Sequence, residues 1–274
     1  MGFEPLFLTG AAGQLFGLYF PPQGGERGGW GVAYVPPFAE EMNQSRRMVT
    51  LQARKLAAAG IGVLLLDLYG TGDSAGEFSE ARWDTWLADV AVALDFLEGR
   101  GLRPALWGLR LGGLLAAQAA AKQPARVRRV VLWQPVLNGE TYLTQFLRLR
   151  VAAAMSEAEP KETTSGLREK LIEDGLLEVA GYDLSSELAL AIDAATLSAQ
   201  APASDCDVTW FELASRPDAS VSPGARRVVD GWREAGAKAR LSTVVGERFW
   251  SIQEPAMVPA LWDATLASWS DGTA

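Results

Sequence analysis

The sequence contains no histidine. Without an imidazole, the chain alone can build no Ser–His or Cys–His nucleophile, no histidine metal site and no imidazole proton shuttle. It has a single cysteine, Cys206, which excludes an intramolecular disulfide and a thiolate zinc cluster. The neighbours in Ser204-Asp205-Cys206-Asp207 are acidic and disfavour a reactive thiolate. Long apolar runs are missing too. The most apolar stretch, 61–66, is far too short to span a bilayer, and the amino terminus has no basic region ahead of an apolar one. A soluble cytoplasmic protein with no transmembrane segment is the expectation. Positive charge is in deficit, Lys+Arg 25 against Asp+Glu 33 for a net −8, which argues against a nucleic-acid partner held by its phosphates. The glycines of 24–29 form a turn, because no Lys-Ser or Lys-Thr follows them as a phosphate loop requires. No residue pattern calls for a cofactor or a metal.

What is present points to a fold. With 274 residues, 49% of them hydrophobic, the chain can bury one large core. Two short apolar strands near residues 7–8 and 15–20 read as a hairpin. Residues 30–35 form a strand stopped by Pro36-Pro37, and Asn43 is a plausible N-cap for a helix over 44–59. The nearly all-apolar strand at 62–67 is the pattern of a sheet covered on both faces. Trp83, Trp86, Leu87, Val90, Leu94 and Leu97 then fall at helical spacing. A strand at 105–107, a helix at 111–122 and a strand at 130–133 repeat the alternation. The basic run Arg126-Val127-Arg128-Arg129 reads as a solvated loop. Residues 138–205 break the rhythm with amphipathic helices, one carrying Tyr142, Leu143, Phe146, Leu147 and Arg150, another spanning 184–197, joined by a charged connection at 157–165. Strands at 208–213 and 239–245 and helices at 223–235 and 255–269 complete the chain. Strand alternating with helix predicts an α/β architecture: a mostly parallel central sheet with helices on both faces, core 1–137 and 206–274, and a helical lid insertion at 138–205.

The segment closest to chemistry is Trp107-Gly108-Leu109-Arg110-Leu111-Gly112-Gly113, a strand entering a helix through Gly-x-Arg-x-Gly. In the α/β-hydrolase fold this place holds Gly-x-Ser-x-Gly, where small residues let a strained turn lift a nucleophile above the sheet. Here the lifted residue is Arg110, a permanent cation that cannot be a nucleophile. Gly72-Asp73-Ser74-Ala75-Gly76 matches the serine pattern literally, but no helix begins at Ser74.

The phrases Pro36-Pro37-Phe38-Ala39-Glu40-Glu41-Met42-Asn43, Asp67-Leu68-Tyr69-Gly70-Thr71-Gly72-Asp73-Ser74, the Arg110 segment and Leu132-Trp133-Gln134-Pro135-Val136 resemble the second of two hydrolase families associated with exosortase A systems. The resemblance implies an α/β-hydrolase fold with a degenerate triad, in bacteria that encode exopolysaccharide and protein-sorting genes nearby. Carried over by position, it puts Phe249 where relatives commonly hold the histidine base and makes Asp218 the best candidate for the acid. It makes the Asp67-to-Ser74 stretch the loop after the fourth strand. The oxyanion loop becomes Pro36-Pro37-Phe38 followed by Glu40 and Glu41, whose charge has the wrong sign for a developing oxyanion. Two arrangements remain for Arg110. It anchors an anionic or acylated ligand at the helix N-terminus, with Phe38, Asn43, Leu111, Gln134, Asp218, Phe249 and Trp250 around it. Alternatively, Glu40 or Glu41 fills its fork as a buried pair. Functionally, the first expectation is a protein without triad catalysis that binds a small anionic or acylated ligand, or a protein of the exopolysaccharide machinery. The second is an enzyme of unfamiliar mechanism with Glu40 or Glu41 as general base and Arg110 holding the substrate.

Overall fold

The computed structural model describes residues 2–24, 29–154, 162–252, 254 and 256–270. Eight strands form one sheet. From one edge they run β1 (Glu4–Thr9), β2 (Gln14–Phe20), β4 (Gly62–Leu66), β3 (Trp30–Val35), β5 (Arg103–Leu109), β6 (Arg129–Trp133), β9 (Asp207–Ala214) and β10 (Lys238–Val245). β1 and β2 make the expected antiparallel hairpin and β2 meets β4 antiparallel; every later pair is parallel. The central strands β3, β5 and β6 are buried along nearly their whole length, which is why they read as continuous apolar runs. Helices α1 (Glu40–Ala58) and α8 (Pro259–Ser270) cover one face, and α2 (Trp83–Gly99), α3 (Leu111–Lys122) and α7 (Pro223–Glu234) the other. This is the α/β-hydrolase architecture that the sequence predicts.

Several local expectations change. Asn43 is not a cap: α1 begins at Glu40, because Ala39 takes φ 51° and ψ −126° and turns the chain one residue after Phe38. Glu40 and Glu41 thereby occupy the first turn, where the helix dipole favours negative charge. The chain between β6 and β9 is not purely helical. After α4 (Gly139–Ala154) and α5 (Thr164–Asp174) comes a hairpin, β7 (Leu176–Val179) and β8 (Tyr182–Ser185), before α6 (Ser186–Ala194). Ala180 and Gly181 both have positive φ, as a two-residue hairpin turn needs, and Ser185 then caps α6 by accepting the Leu188 N–H. The helix read over 184–197 is thus shortened at both ends.

The basic run is not a solvated loop. Arg129 lies in β6 and is 3% exposed, stacked between Trp30 and Trp269 and donating to the Ser268 carbonyl. Arg126 is paired with Asp95 and Glu98. Each guanidinium found carboxylates or rings that only the folded chain brings near. The last helix starts at Pro259, four residues later than the spacing suggests. Residues 25–28 of the turn read at 24–29, residues 157–161 of the connection read at 157–165, and Pro255 lie outside the described residues.

Close backbone approach, rather than turn conformation, fixes the elbow glycines. A Cβ on Gly112 would overlap the carbonyl oxygens of Pro36 and Val35, and one on Gly108 would overlap the backbone of Gly112. Gly112→Ala is therefore expected to destabilise the protein by about 3 kcal/mol, read from urea unfolding, because rigid backbone has to move. A change within a few tenths of that baseline would mean that β3 and α3 are not in this contact.

Candidate functional site

β5 delivers Arg110 at its carboxyl end, immediately before α3. Arg110 has φ 53° and ψ −119°, a conformation that non-glycine residues rarely take and that lifts its side chain over the sheet. The turn is tied down on both sides. The Arg110 N–H donates to the Trp133 carbonyl at 3.1 Å, and the Arg110 carbonyl accepts from Val136 and Gly113, each at 3.0 Å. Gly-x-Arg-x-Gly thus stands in the strand–turn–helix setting of a nucleophile elbow. Ser74 does not. Its hydroxyl donates to the Asp67 carbonyl at 2.6 Å and accepts the Phe16 N–H at 2.8 Å, so it pins the loop after β4 to β2.

The guanidinium of Arg110 is engaged from four segments. Its Nε donates to Glu41 Oε1 at 3.0 Å, and its Nη1 reaches the Gln134 carbonyl at 3.5 Å. The other oxygen of Glu41 accepts the Tyr142 hydroxyl of α4 at 3.0 Å. The rings of Tyr142 and Trp250 both lie against the cation, with centroids 5.5 and 5.3 Å from Cζ. Of the two carboxylates considered, Glu41 makes the pair; side-chain exposure is 16% for Arg110 and 9% for Glu41. Burial pushes the Glu41 carboxyl up, while the charge and hydrogen bond of Arg110 and the hydroxyl of Tyr142 hold it down. Tyr142 is raised by its own burial and by the Glu41 charge, so it remains a donor.

Glu40 has no such partner. Burial, with the neighbouring Glu41 charge adding to it, pushes its carboxyl up to about 7, and one of its oxygens is buried without a hydrogen bond. It stands at the margin of the Arg110 pair, where the Glu41 charge raises its carboxyl and the Arg110 charge lowers it.

The other residues scatter. Phe38 is buried among Phe78, Trp86, Tyr142 and Phe146. Leu111 is buried at the start of α3. Phe249 is 1% exposed and packs on Trp133 and Trp250. Gln134 turns with φ 42° and uses its side-chain oxygen to accept the Leu213 N–H at 2.8 Å, tying β6 to β9 rather than facing a ligand. Asn43, inside α1, donates to the Tyr182 hydroxyl at 3.4 Å. Asp218 is displaced from the site. It stands on an exposed loop after β9, its side chain 80% exposed and 3.9 Å from Arg216. Sequence reasoning missed Tyr142 as a site residue; its helical spacing reads as core, and only the fold lays α4 over the elbow.

Beside the amino terminus of α3 the open space is small. The hollow lined by Pro37, Phe38, Leu111 and Gly112 leaves about 10 Å³ for the centre of a water, room for about one molecule. A wider cleft of about 390 Å³ lies between Asn43, Thr71, Asp73 and Tyr182. Among the described residues no group of three His, Cys, Asp or Glu could hold a metal ion, and no helix is long and apolar enough to cross a membrane. Cys206 is buried and its thiol is pushed up to about 12, by desolvation first and Asp207 second.

A family model described as "Serine aminopeptidase, S33" (Hydrolase_4) matches residues 41–183, just over half of the chain. No curated protein matches the sequence. Solved structures match along nearly its whole length. GrgF, an α/β-hydrolase from Penicillium sp. sh18, has a TM-score of 0.67 at 18% identity, covering 99% of both chains. Est1E from Butyrivibrio proteoclasticus with ferulic acid bound has 0.65 at 14%, covering 97% of this chain and 96% of that one. The α/β-hydrolase domain-containing protein 10 from mouse has 0.58 at 14%, with 98% and 97% covered. At these identities the likeness is one of fold.

Arg110→Ala leaves Glu41 buried without its cation and is expected to cost about 3–5 kcal/mol in urea unfolding, most of it recovered when Glu41→Gln is added. Equal losses in the single and double variants would show that the pair carries no coupling. Glu40 also sets a pH dependence. Its carboxyl lies higher in the folded protein than the ordinary 4.5, so its contribution is complete below about pH 4.5 and is lost as pH rises through about 7. Stability measured at pH 5 and pH 8 should fall by about 1–2 kcal/mol more in the unmodified protein than in Glu40→Gln. Parallel curves would place Glu40 in ordinary solvent.

Proposed function

Since the chain belongs to the serine aminopeptidase S33 family of α/β-hydrolases and yet carries an arginine at its elbow and no histidine, we propose that it is a non-catalytic member of that family, working by binding rather than by serine hydrolysis. One observation carries the reading. The side chain at the nucleophile position is a permanent cation, held by Glu41, Tyr142 and Trp250. Arginine leaves no alcohol or thiol there, and Phe249, which the resemblance aligns with the histidine base, is a buried ring.

The same contacts bear on the ligand. A small anion at Arg110 meets a cation whose charge Glu41 already neutralises through Nε, so only the Nη edge is left to attract it. This favours a macromolecular partner over a small anionic or acylated molecule. The resemblance carried by Phe38-Ala39-Glu40-Glu41-Met42-Asn43 supports a partner from cytoplasmic exopolysaccharide or protein-sorting machinery. A fluorophosphonate probe is expected to leave the protein unlabelled in intact-mass spectrometry. Stoichiometric labelling of Ser74, or of any serine, overturns the proposal.

A second reading, an acid–base enzyme, draws on Glu40. A carboxyl shifted to about 7, with one oxygen unengaged, has the properties of a general base. On that reading, turnover of an acidic or acylated substrate is lost in Glu40→Gln and retained in Ser74→Ala. Equal turnover in Glu40→Gln and the unmodified protein removes it.

A further inference from the structure

On the face of the sheet covered by α1, the helix packs over β4 and reaches β2, and a hollow remains between its amino-terminal half and these strands. One stripe of α1 faces this hollow: Met42, Ser45, Arg46, Val49 and Thr50. Opposite it stand Phe16 and Leu18 of β2, Leu65 of β4 and Tyr34 of β3, alternating residues of their strands that point to one side. Between them is a chamber of about 180 Å³. Its lining is mainly apolar, and its size is about that of a cavity known to take up benzene.

The chamber contains one polar atom that the fold does not use. Tyr34 is 6% exposed, and its hydroxyl is buried with no hydrogen-bond partner. Ser45, beside it, donates to the Met42 carbonyl at 3.1 Å; its oxygen is near the Tyr34 hydroxyl but does not meet it in hydrogen-bond geometry. The Tyr34 ring is fixed by Trp107, with centroids 4.5 Å apart, so the hydroxyl cannot swing out to water. Burial also keeps its proton on. A fully buried, unpaired hydroxyl is costly and rare in folded proteins.

The mouth of the chamber restricts charge. Arg46 Nη2 meets Asp67 Oδ2 at 3.3 Å, with Arg46 44% exposed and Asp67 held further by the Asp73 N–H at 3.0 Å. An incoming anion has to compete with Asp67 and an incoming cation with Arg46. An uncharged molecule meets neither obstacle, and a half-exposed ion pair of this kind yields easily.

We propose that this chamber is a binding site for a small uncharged molecule of about one ring in size, bearing a hydroxyl or carbonyl oxygen that accepts the Tyr34 hydroxyl proton. The site is separate from the elbow and does not rest on the non-catalytic reading. It supplies the missing acceptor, fills apolar volume and leaves the Arg110 pair intact.

Phenol and toluene, equal in size and differing in the oxygen, test it by ligand-detected NMR titration of the full chain. Phenol is expected to bind about tenfold more tightly than toluene, and Tyr34→Phe is expected to bring phenol down to the toluene level. Val49→Phe, which fills the chamber without touching the hydroxyl, should abolish both, with cooperative thermal unfolding showing that the variant is folded. Without probe, the Tm of Tyr34→Phe should equal or exceed that of the unmodified protein, since an unpaired hydroxyl is removed. The proposal is overturned if neither probe binds, if phenol affinity survives either substitution, or if Tyr34→Phe lowers the Tm by several degrees, which would show the hydroxyl engaged within the fold.

Discussion

A guanidinium lifted above the carboxyl edge of a parallel sheet needs a counter-charge, and the need organises this molecule. The elbow at Arg110 cannot place its side chain elsewhere, because Gly108 and Gly112 press the turn against β3 and α3. Its cation therefore emerges in a largely desolvated spot, where an unpaired charge is far too costly to persist. Three distant segments converge on it. Glu41 comes from the first turn of α1, Tyr142 from the helix after β6, and Trp250 from the turn after β10. Each is positioned by its own local device. The left-handed conformation of Ala39 starts α1 early enough for Glu41 to face the cation, and Tyr142 shares its hydroxyl with Glu41 rather than with water.

Phe38 and its aromatic neighbours fill the hollow beside the helix N-terminus. The strand–turn–helix elbow is present with an arginine at its tip. Retention of the strained turn has a physical explanation independent of catalysis. The turn is what allows β5 to enter α3 at all, with Arg110 held by hydrogen bonds to both sides of β6 and the segment after it.

Polar side chains in the rest of the fold divide into those engaged and those not. Ser74, Gln134, Asn43 and Arg129 each resembled a site residue or a free surface group in some respect, and each is engaged in holding loops or strands together. Glu40 and Tyr34 are different. Both carry a buried atom without a hydrogen bond, and Tyr34 lines the chamber beside β2. Asp89 is an intermediate case: one oxygen accepts the Tyr69 N–H, the other is unpaired, and burial raises its carboxyl to about 6. Functional inference here rests on the unengaged groups more than on the residues a motif highlights.

Local pattern was enough to establish the alternating strands and helices, the parallel sheet and the elbow. Apolar periodicity and glycine spacing act over a few residues, and a permanent cation stays one in any fold. The absence of histidine likewise excluded triad chemistry before any coordinates. The choice of Glu41 over Glu40 as partner was not legible, since adjacent residues of one helix differ only in the direction they face. Nor was the role of Tyr142, the hairpin between α5 and α6, or the exile of Asp218 to an exposed loop. These depend on which segments meet across gaps of many tens of residues, and on how much water is left between them. Sequence determined which charge stands at the crest; only the packing of α1, α4 and the turn after β10 decided what neutralises it, because desolvation is a property of the assembled surroundings.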